Sequence, residues 1–182
     1  KTLGCTTLQI FSHNPRRWAV KELSEKEIKL FRALRSQLDL SPVYIHTSYL
    51  INIATHDSLL RARSLALLIT EMDRADSIGA DYVILHTGSG RGDLKVNSQE
   101  RAVRVLDEVA QHRTWKAKLL LENTAGERGD ISSAIEELSL VMQDTKGNLI
   151  GGVCLDTCHL FAAGYDLRQK NVVKDLMKTI RK

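Results

Sequence analysis

A chain of 182 residues, 43% hydrophobic and 26% charged, suffices for one ordinary folded domain; such a composition excludes a disordered or collagen-like polymer. No apolar run approaches the roughly 20 residues of a membrane span, and no apolar signal segment opens Lys1-Thr2-Leu3-Gly4. A net charge of +4 favours anionic partners only mildly, and three cysteines without zinc-finger spacing point to a reduced, intracellular setting.

The chain opens on what reads as the tail of a helix, with Gly4 just past its end. A first strand spans Thr7–Phe11, and the loop after it, Ser12-His13-Asn14-Pro15-Arg16-Arg17-Trp18, carries two arginines and an indole. Ser24-Glu25-Lys26-Glu27 is a capping box, in which the serine serves an orphan amide of the first turn and the glutamate reaches back. Ile28, Phe31, Leu34 and Leu38 then form one apolar stripe. The run Val43-Tyr44-Ile45 is a second strand, and a long helix from about Leu59 to Ile78 is stopped by Gly79. Tyr82–Leu85 is a third strand, followed by the loop Gly88-Ser89-Gly90-Arg91-Gly92. Asn97-Ser98-Gln99-Glu100 opens the next helix, with Val103, Leu106, Val109 and Ala110 facing inward. Leu119–Leu121 is a fourth strand, Asp130 caps a helix bearing Ile131, Ile135, Leu138 and Met142, and Gly152–Leu155 is a fifth strand. A last helix covers Val172–Ile180.

Four of these apolar runs are followed at once by a potential metal ligand: His46, His86, Glu122 and Asp156, at gaps of 40, 36 and 34 residues. A strand, a helix and two loops take roughly 30 to 40 residues. Polar groups at the C-terminal ends of successive parallel strands meet on one rim, where β/α barrels keep their active sites. The spacing therefore predicts an α/β chain of TIM (β/α)₈ type. A complete barrel takes about 250 residues. Only five βα units are legible, so the expectation is a single domain that is an internal, partial piece of a larger barrel.

Imidazole with carboxylate suits Zn²⁺ or Mn²⁺ better than Ca²⁺, and His159, three residues past Asp156, is within reach of the same site. Any one of these residues has an ordinary explanation as a satisfied core histidine or a helix-cap acid. Grouped at one place, they would cost several kcal/mol each to desolvate unless paired or metallated, which favours a metal. The period of a strand puts Cys154 on the face of Asp156, as a small hydrophobe of the interior. The glycine-rich loop lacks the spacing of a phosphate cradle, since position 93 is Asp, and a need for close backbone approach to a ligand explains its glycines. Arg91 and Arg128 are candidate phosphate contacts or solvated surface arginines. The Arg16–Arg17–Trp18 loop suits a polyanion that carries bases, against the plainer option of Trp18 packed on the barrel flank. Tyr49 is equally open.

Several segments closely resemble motifs of endonuclease IV, the zinc-dependent apurinic/apyrimidinic endonucleases among the xylose-isomerase-like barrels. They are His46 to Asn52, Glu122-Asn123-Thr124-Ala125-Gly126 and Gly152 to Asp166, supported by Gln9-Ile10-Phe11 and Asn14-Pro15-Arg16-Arg17-Trp18. The resemblance implies His46, His86, Glu122, Asp156 and His159 as zinc ligands, with Glu122 bridging two ions at the catalytic centre. A complete member holds up to three Zn²⁺, with Mn²⁺ as an alternative. Its remaining ligands, a His, an Asp-x-His pair and a Glu, belong to later elements absent from these 182 residues. Arg16, Arg17, Tyr49, Asn52 and Arg91 would face duplex DNA containing abasic sites. The implied activity is DNA-repair hydrolysis of the phosphodiester 5′ to the abasic residue by zinc-activated hydroxide, leaving a 3′-hydroxyl. The implied setting is a monomer in the cytoplasm, on the nucleoid. The alternatives are a metal-dependent sugar isomerase or epimerase of the same superfamily, and a catalytically incomplete fragment.

Overall fold

The computed structural model describes residues 3–180. Five strands, β1 (Leu8–Phe11), β2 (Val43–His46), β3 (Tyr82–His86), β4 (Lys118–Glu122) and β5 (Ile150–Cys154), lie in one parallel sheet in chain order. Helices α1 (Glu25–Leu38), α2 (Ser58–Ile78), α3 (Lys95–His112) and α4 (Ile135–Asp144) follow β1 to β4 in turn. A short α5 (Thr157–Ala162) and then α6 (Lys170–Ile180) follow β5. Each strand pairs with the one before it in sequence, the winding of a β/α barrel. Among the described residues, β1 and β5 each keep one edge without a partner strand.

Alternation along the strands separates two faces. Val43, Ile45, Val83, Leu85, Leu119 and Leu121 are fully buried in the core between sheet and helices. The intervening residues, among them His46, His86, Glu122 and Cys154, belong to the other, concave face and line a cleft of about 1320 Å³. Register supplies the stagger that barrel closure needs: His46 pairs with Ile84, two residues short of His86, whereas His86 pairs directly with Glu122.

Helix ends follow local chemistry. The Ser24–Glu27 capping box forms as expected. Asp57 caps α2 by accepting from the amides of Leu59 and Leu60, and Gly79 ends that helix in the left-handed region at φ 76°. At the opposite end of the barrel from the cleft, the Arg35 guanidinium donates to the Leu40 and Gly79 carbonyls and pairs with Asp81 at 2.6 Å. Asp81 in turn accepts the Val43 amide at 2.6 Å, fastening α1 and α2 to the foot of β2.

Three expectations from the sequence are corrected. The helix expected to open at Asn97 starts at Lys95, with no side-chain cap at Leu94, and Ser98 is already inside it. Asp130 is not the cap of α4, which begins at Ile135. Its carboxylate accepts from the Thr124 hydroxyl and the Ser132 amide and ties the loop after β4 to itself. Asp156 does not end β5; it lies two residues past the strand and caps α5. In the Gly88–Gly92 loop, internal packing also requires glycine at two positions, since a Cβ on Gly88 would collide with the Asn52 side chain and one on Gly90 with Ser98, while Gly88 itself lines the cleft and a Cβ on Gly92 would meet open space. Gly4 has the positive φ, 67°, of a helix-stopping residue, but Lys1 and Thr2, where the helix tail is expected, lie outside the described residues.

Candidate metal centre

His46, His86 and Glu122 are the last residues of β2, β3 and β4, so the three side chains rise at adjacent points of one rim. Nε2 of His46 and Nε2 of His86 each lie 3.1 Å from the same oxygen of Glu122, Oε2. Two imidazole nitrogens converging on one carboxylate oxygen need a proton or a cation among them. The spacing suits the cation: four ligands at about 2.0 to 2.1 Å from a tetrahedral ion stand roughly 3.3 Å apart. His46 is prepared for such a role from behind, because its Nδ1 donates to the Thr47 carbonyl at 2.8 Å, which leaves Nε2 to face the cleft.

A second group shares Glu122. Its ligating atoms lie within 4.8 Å of those of Asp156 and His159, as do those of His46, His86 and Glu122 among themselves. Oδ1 of Asp156 is occupied by the amides of Cys158 and His159 at 2.7 and 3.0 Å, while Oδ2 sits 3.8 Å from Nδ1 of His159. Asn123 braces this pair. It accepts the Asp156 amide at 2.7 Å through Oδ1, and its own carbonyl takes Nδ1 of His159 at 3.0 Å. The donor set thus forms two groups meeting at one buried carboxylate.

The electrostatics agree with the geometry. Burial pushes the Glu122 carboxyl up, but hydrogen bonds from His46 and His86 outweigh it and hold the group down to about 2. Burial lowers His46 in turn, and the bonds to Glu122 and to the Thr47 carbonyl outweigh that and raise it. Cys154 lines the same cleft, placed there by a bulge in β5: Leu119 faces Ile150 while Leu120 faces Gly152, one residue further on. Burial, then the charges of Glu122 and Asp156, push its thiol up to about 11, so it stays neutral.

The residues expected to face DNA scatter more widely. Tyr49, 60% exposed, stands beside the centre with its ring 5.3 Å from Phe11 and 5.9 Å from His46. Arg91 is exposed on the cleft at φ 46°, and Arg128 lines the cleft too. Arg16 and Arg17 are exposed on the rim loop, outside the cleft lining. Asn52 lines the cleft, and its side-chain amide accepts the Ala54 and Ser89 amides at 3.1 Å and donates to the Ser89 carbonyl at 3.0 Å. Trp18 is partly buried against the core with Arg63 over its ring at 6.0 Å, and it also lines the cleft. Phe11, read from sequence only as the end of the first strand and part of Gln9-Ile10-Phe11, ends β1 on the rim as His46 ends β2, in direct register with it.

Residues 1–181 match the xylose isomerase-like TIM barrel family. The chain belongs to that family. Within these barrels it is 38% identical over 180 residues to the probable endonuclease 4 of Halothermothrix orenii, covering 99% of this chain and 65% of that protein. The crystal structure of endonuclease IV from Thermus thermophilus superposes with a TM-score of 0.82 at 38% identity, over 98% of this chain and 64% of that one. The chain thus spans a little under two thirds of the length of these relatives. D-psicose 3-epimerase of Clostridium cellulolyticum shares the barrel fold alone, with a TM-score of 0.70 at 18% identity over 88% of this chain and 56% of that one. The resemblance of His46–Asn52, Glu122–Gly126 and Gly152–Asp166 to endonuclease IV therefore extends over nearly the whole chain.

Proposed function

We propose that the protein carrying this chain is a zinc-dependent apurinic/apyrimidinic endonuclease, a DNA-repair hydrolase that cleaves the phosphodiester 5′ to an abasic site and leaves a 3′-hydroxyl. The observation that carries this reading is the convergence of His46, His86 and Glu122 on one oxygen at 3.1 Å, beside a second group that shares Glu122. When bound, divalent ions at such a centre supply Lewis-acid stabilisation of phosphoryl charge and a nucleophile at neutral pH. The residues of the chain hold and orient. Glu122 presents two oxygens toward two ligand groups, Thr47 fixes the tautomer of His46, and Asn123 fixes Asp156 and His159.

Around the centre, the exposed Arg16, Arg17 and Arg91 would neutralise backbone phosphates, which supplies affinity without sequence preference. Tyr49 and Phe11 offer exposed aromatic surface next to the ligands, suited to a step of the duplex where a base is missing and stacking is already lost. In the cell the protein would act as a monomer on the chromosome. The test is cleavage of a duplex with one abasic residue by the intact protein, before and after chelation, with Zn²⁺ or Mn²⁺ restored. Activity lost with chelator and regained with Zn²⁺ is expected. Isomerisation of a ketose without duplex cleavage would overturn the assignment in favour of a sugar enzyme.

A further inference from the structure

One buried carboxylate takes no part in the metal centre. Glu71 lies on α2 among Leu67, Leu68, Met72 and Ala75 and is 1% exposed, where a leucine would pack the helix without the cost of burying a charge. Its carboxylate instead reaches across to the rim. Oε2 accepts from the Ser12 hydroxyl at 2.6 Å, and Oε1 accepts from Nε2 of His13 at 2.8 Å and from the Ser48 amide at 3.1 Å. Nδ1 of His13 is buried without a partner among the described residues, so Glu71 is that ring's only polar anchor there. One turn along α2, Arg74 donates to the Ser12 hydroxyl at 3.0 Å, to the Ser12 carbonyl, and to the Lys21 carbonyl at 2.8 Å.

The two loops held by this carboxylate are also joined to each other. The Pro15 carbonyl accepts from the Ser48 hydroxyl at 2.7 Å and from the Tyr49 amide at 3.1 Å. Arg16 is the next residue on the first loop, and Tyr49 is on the second. We propose that Glu71, with Arg74 beside it, is a positioning residue that sets the Arg16 loop and the Tyr49 loop as one rigid unit beside the metal centre. The link to abasic-site discrimination rests on the function proposed above; the positioning itself does not. A preformed unit spares the protein the ordering of two loops when duplex binds.

The experiment compares wild type, Glu71→Gln, Ser12→Ala and Arg16→Ala, and the double variant Glu71→Gln/Arg16→Ala, in the intact protein. The readouts are amide hydrogen exchange, zinc bound per chain, and affinity for a duplex with a tetrahydrofuran abasic analogue against intact duplex. In Glu71→Gln, exchange in residues 12–18 and 47–50 should rise together by about tenfold or more while zinc content holds. The preference for the abasic analogue should fall by about tenfold, and Arg16→Ala should cost much less duplex affinity in that background than in wild type. If Glu71→Gln does not fold, Ser12→Ala, which leaves the carboxylate with His13 and Ser48, should show the same paired loosening to a smaller degree. Unchanged exchange, loosening of one loop alone, or fully additive losses with Arg16→Ala would overturn the proposal. Paired loosening in a protein whose wild type shows no preference for the abasic analogue would uphold the positioning role and refute the endonuclease reading.

Discussion

At the centre of the site, one oxygen of Glu122 faces two imidazoles, so its charge cannot be removed without releasing both. Glu122→Gln should therefore lower abasic-site cleavage by about 100-fold or more while changing duplex affinity by less than about threefold, since phosphate contacts carry binding. Single-turnover cleavage beside fluorescence anisotropy would show the split. Acid–base linkage gives a second prediction with opposite signs for two states. In the metal-free protein, His46 is raised above its ordinary 6.5, so its contribution to stability is complete below 6.5 and is lost as pH rises through the folded value. Glu122, held down to about 2, contributes above its ordinary 4.5 and loses that only as pH falls toward 2. Metal-free protein should accordingly become less stable from pH 6 to pH 8. Metal-loaded protein should become more stable over the same interval, because uptake displaces the His46 proton. Urea unfolding at both pH values, with and without Zn²⁺, checks the crossing. The placement of His46, His86 and Glu122 at strand ends was legible because each follows a short apolar run of strand length at βα spacing. Glu71 was not legible: its partners Ser12 and His13 lie 59 and 58 residues away, and nothing in its own helix marks the carboxylate as turned to the rim.

Elements were read well where local chemistry sets their ends and poorly where distant contacts do. The box at Ser24 and the stop at Gly79 depend on residues within one turn, and both formed as expected. The start of α3 at Lys95 has no such signal, because the Leu94 position lacks a capping side chain. Asp156 was set at the end of β5 because it follows the apolar run that closes on Leu155, whereas the strand stops at Cys154 and the Asp156 carboxylate turns to cap α5. Upstream, a bulge at Ile150–Gly152 takes up an extra residue. Gly151 permits that bulge, since a Cβ there would come within 2.6 Å of the Lys118 Cβ. The two rim loops give the prediction that belongs at this scale. Arg16→Ala should reduce the salt dependence of duplex binding by about one counterion. Tyr49→Ala should instead narrow the difference between abasic and intact duplex by roughly tenfold with little change in salt dependence. Anisotropy titrations across ionic strength separate the two, and equal salt slopes for wild type and Arg16→Ala would remove that loop from the phosphate contacts.

Across the whole chain, helices pack against one face of the sheet, and among the described residues its edges at β1 and β5 are open. Residues 1–182 expressed alone should unfold over a broad thermal range, because two strand edges and apolar residues such as Phe11, Val173 and Met177 remain uncovered. They should bind one ion firmly, at the more buried His46–His86–Glu122 group, and cleave abasic duplex poorly. Calorimetry, zinc analysis and a cleavage assay on the same sample would check this, and one sharp transition with two firmly bound ions would contradict it. The strand order has a further consequence during synthesis. Because spatial order repeats sequence order, a chain emerging from the ribosome offers each strand from β2 to β5 a partner already in place. His46 and His86 are therefore set side by side before the carboxylate that joins them exists. Only when β4 docks on β3, in the register that pairs Glu122 with His86, is the His46–His86–Glu122 group that could hold a metal ion assembled.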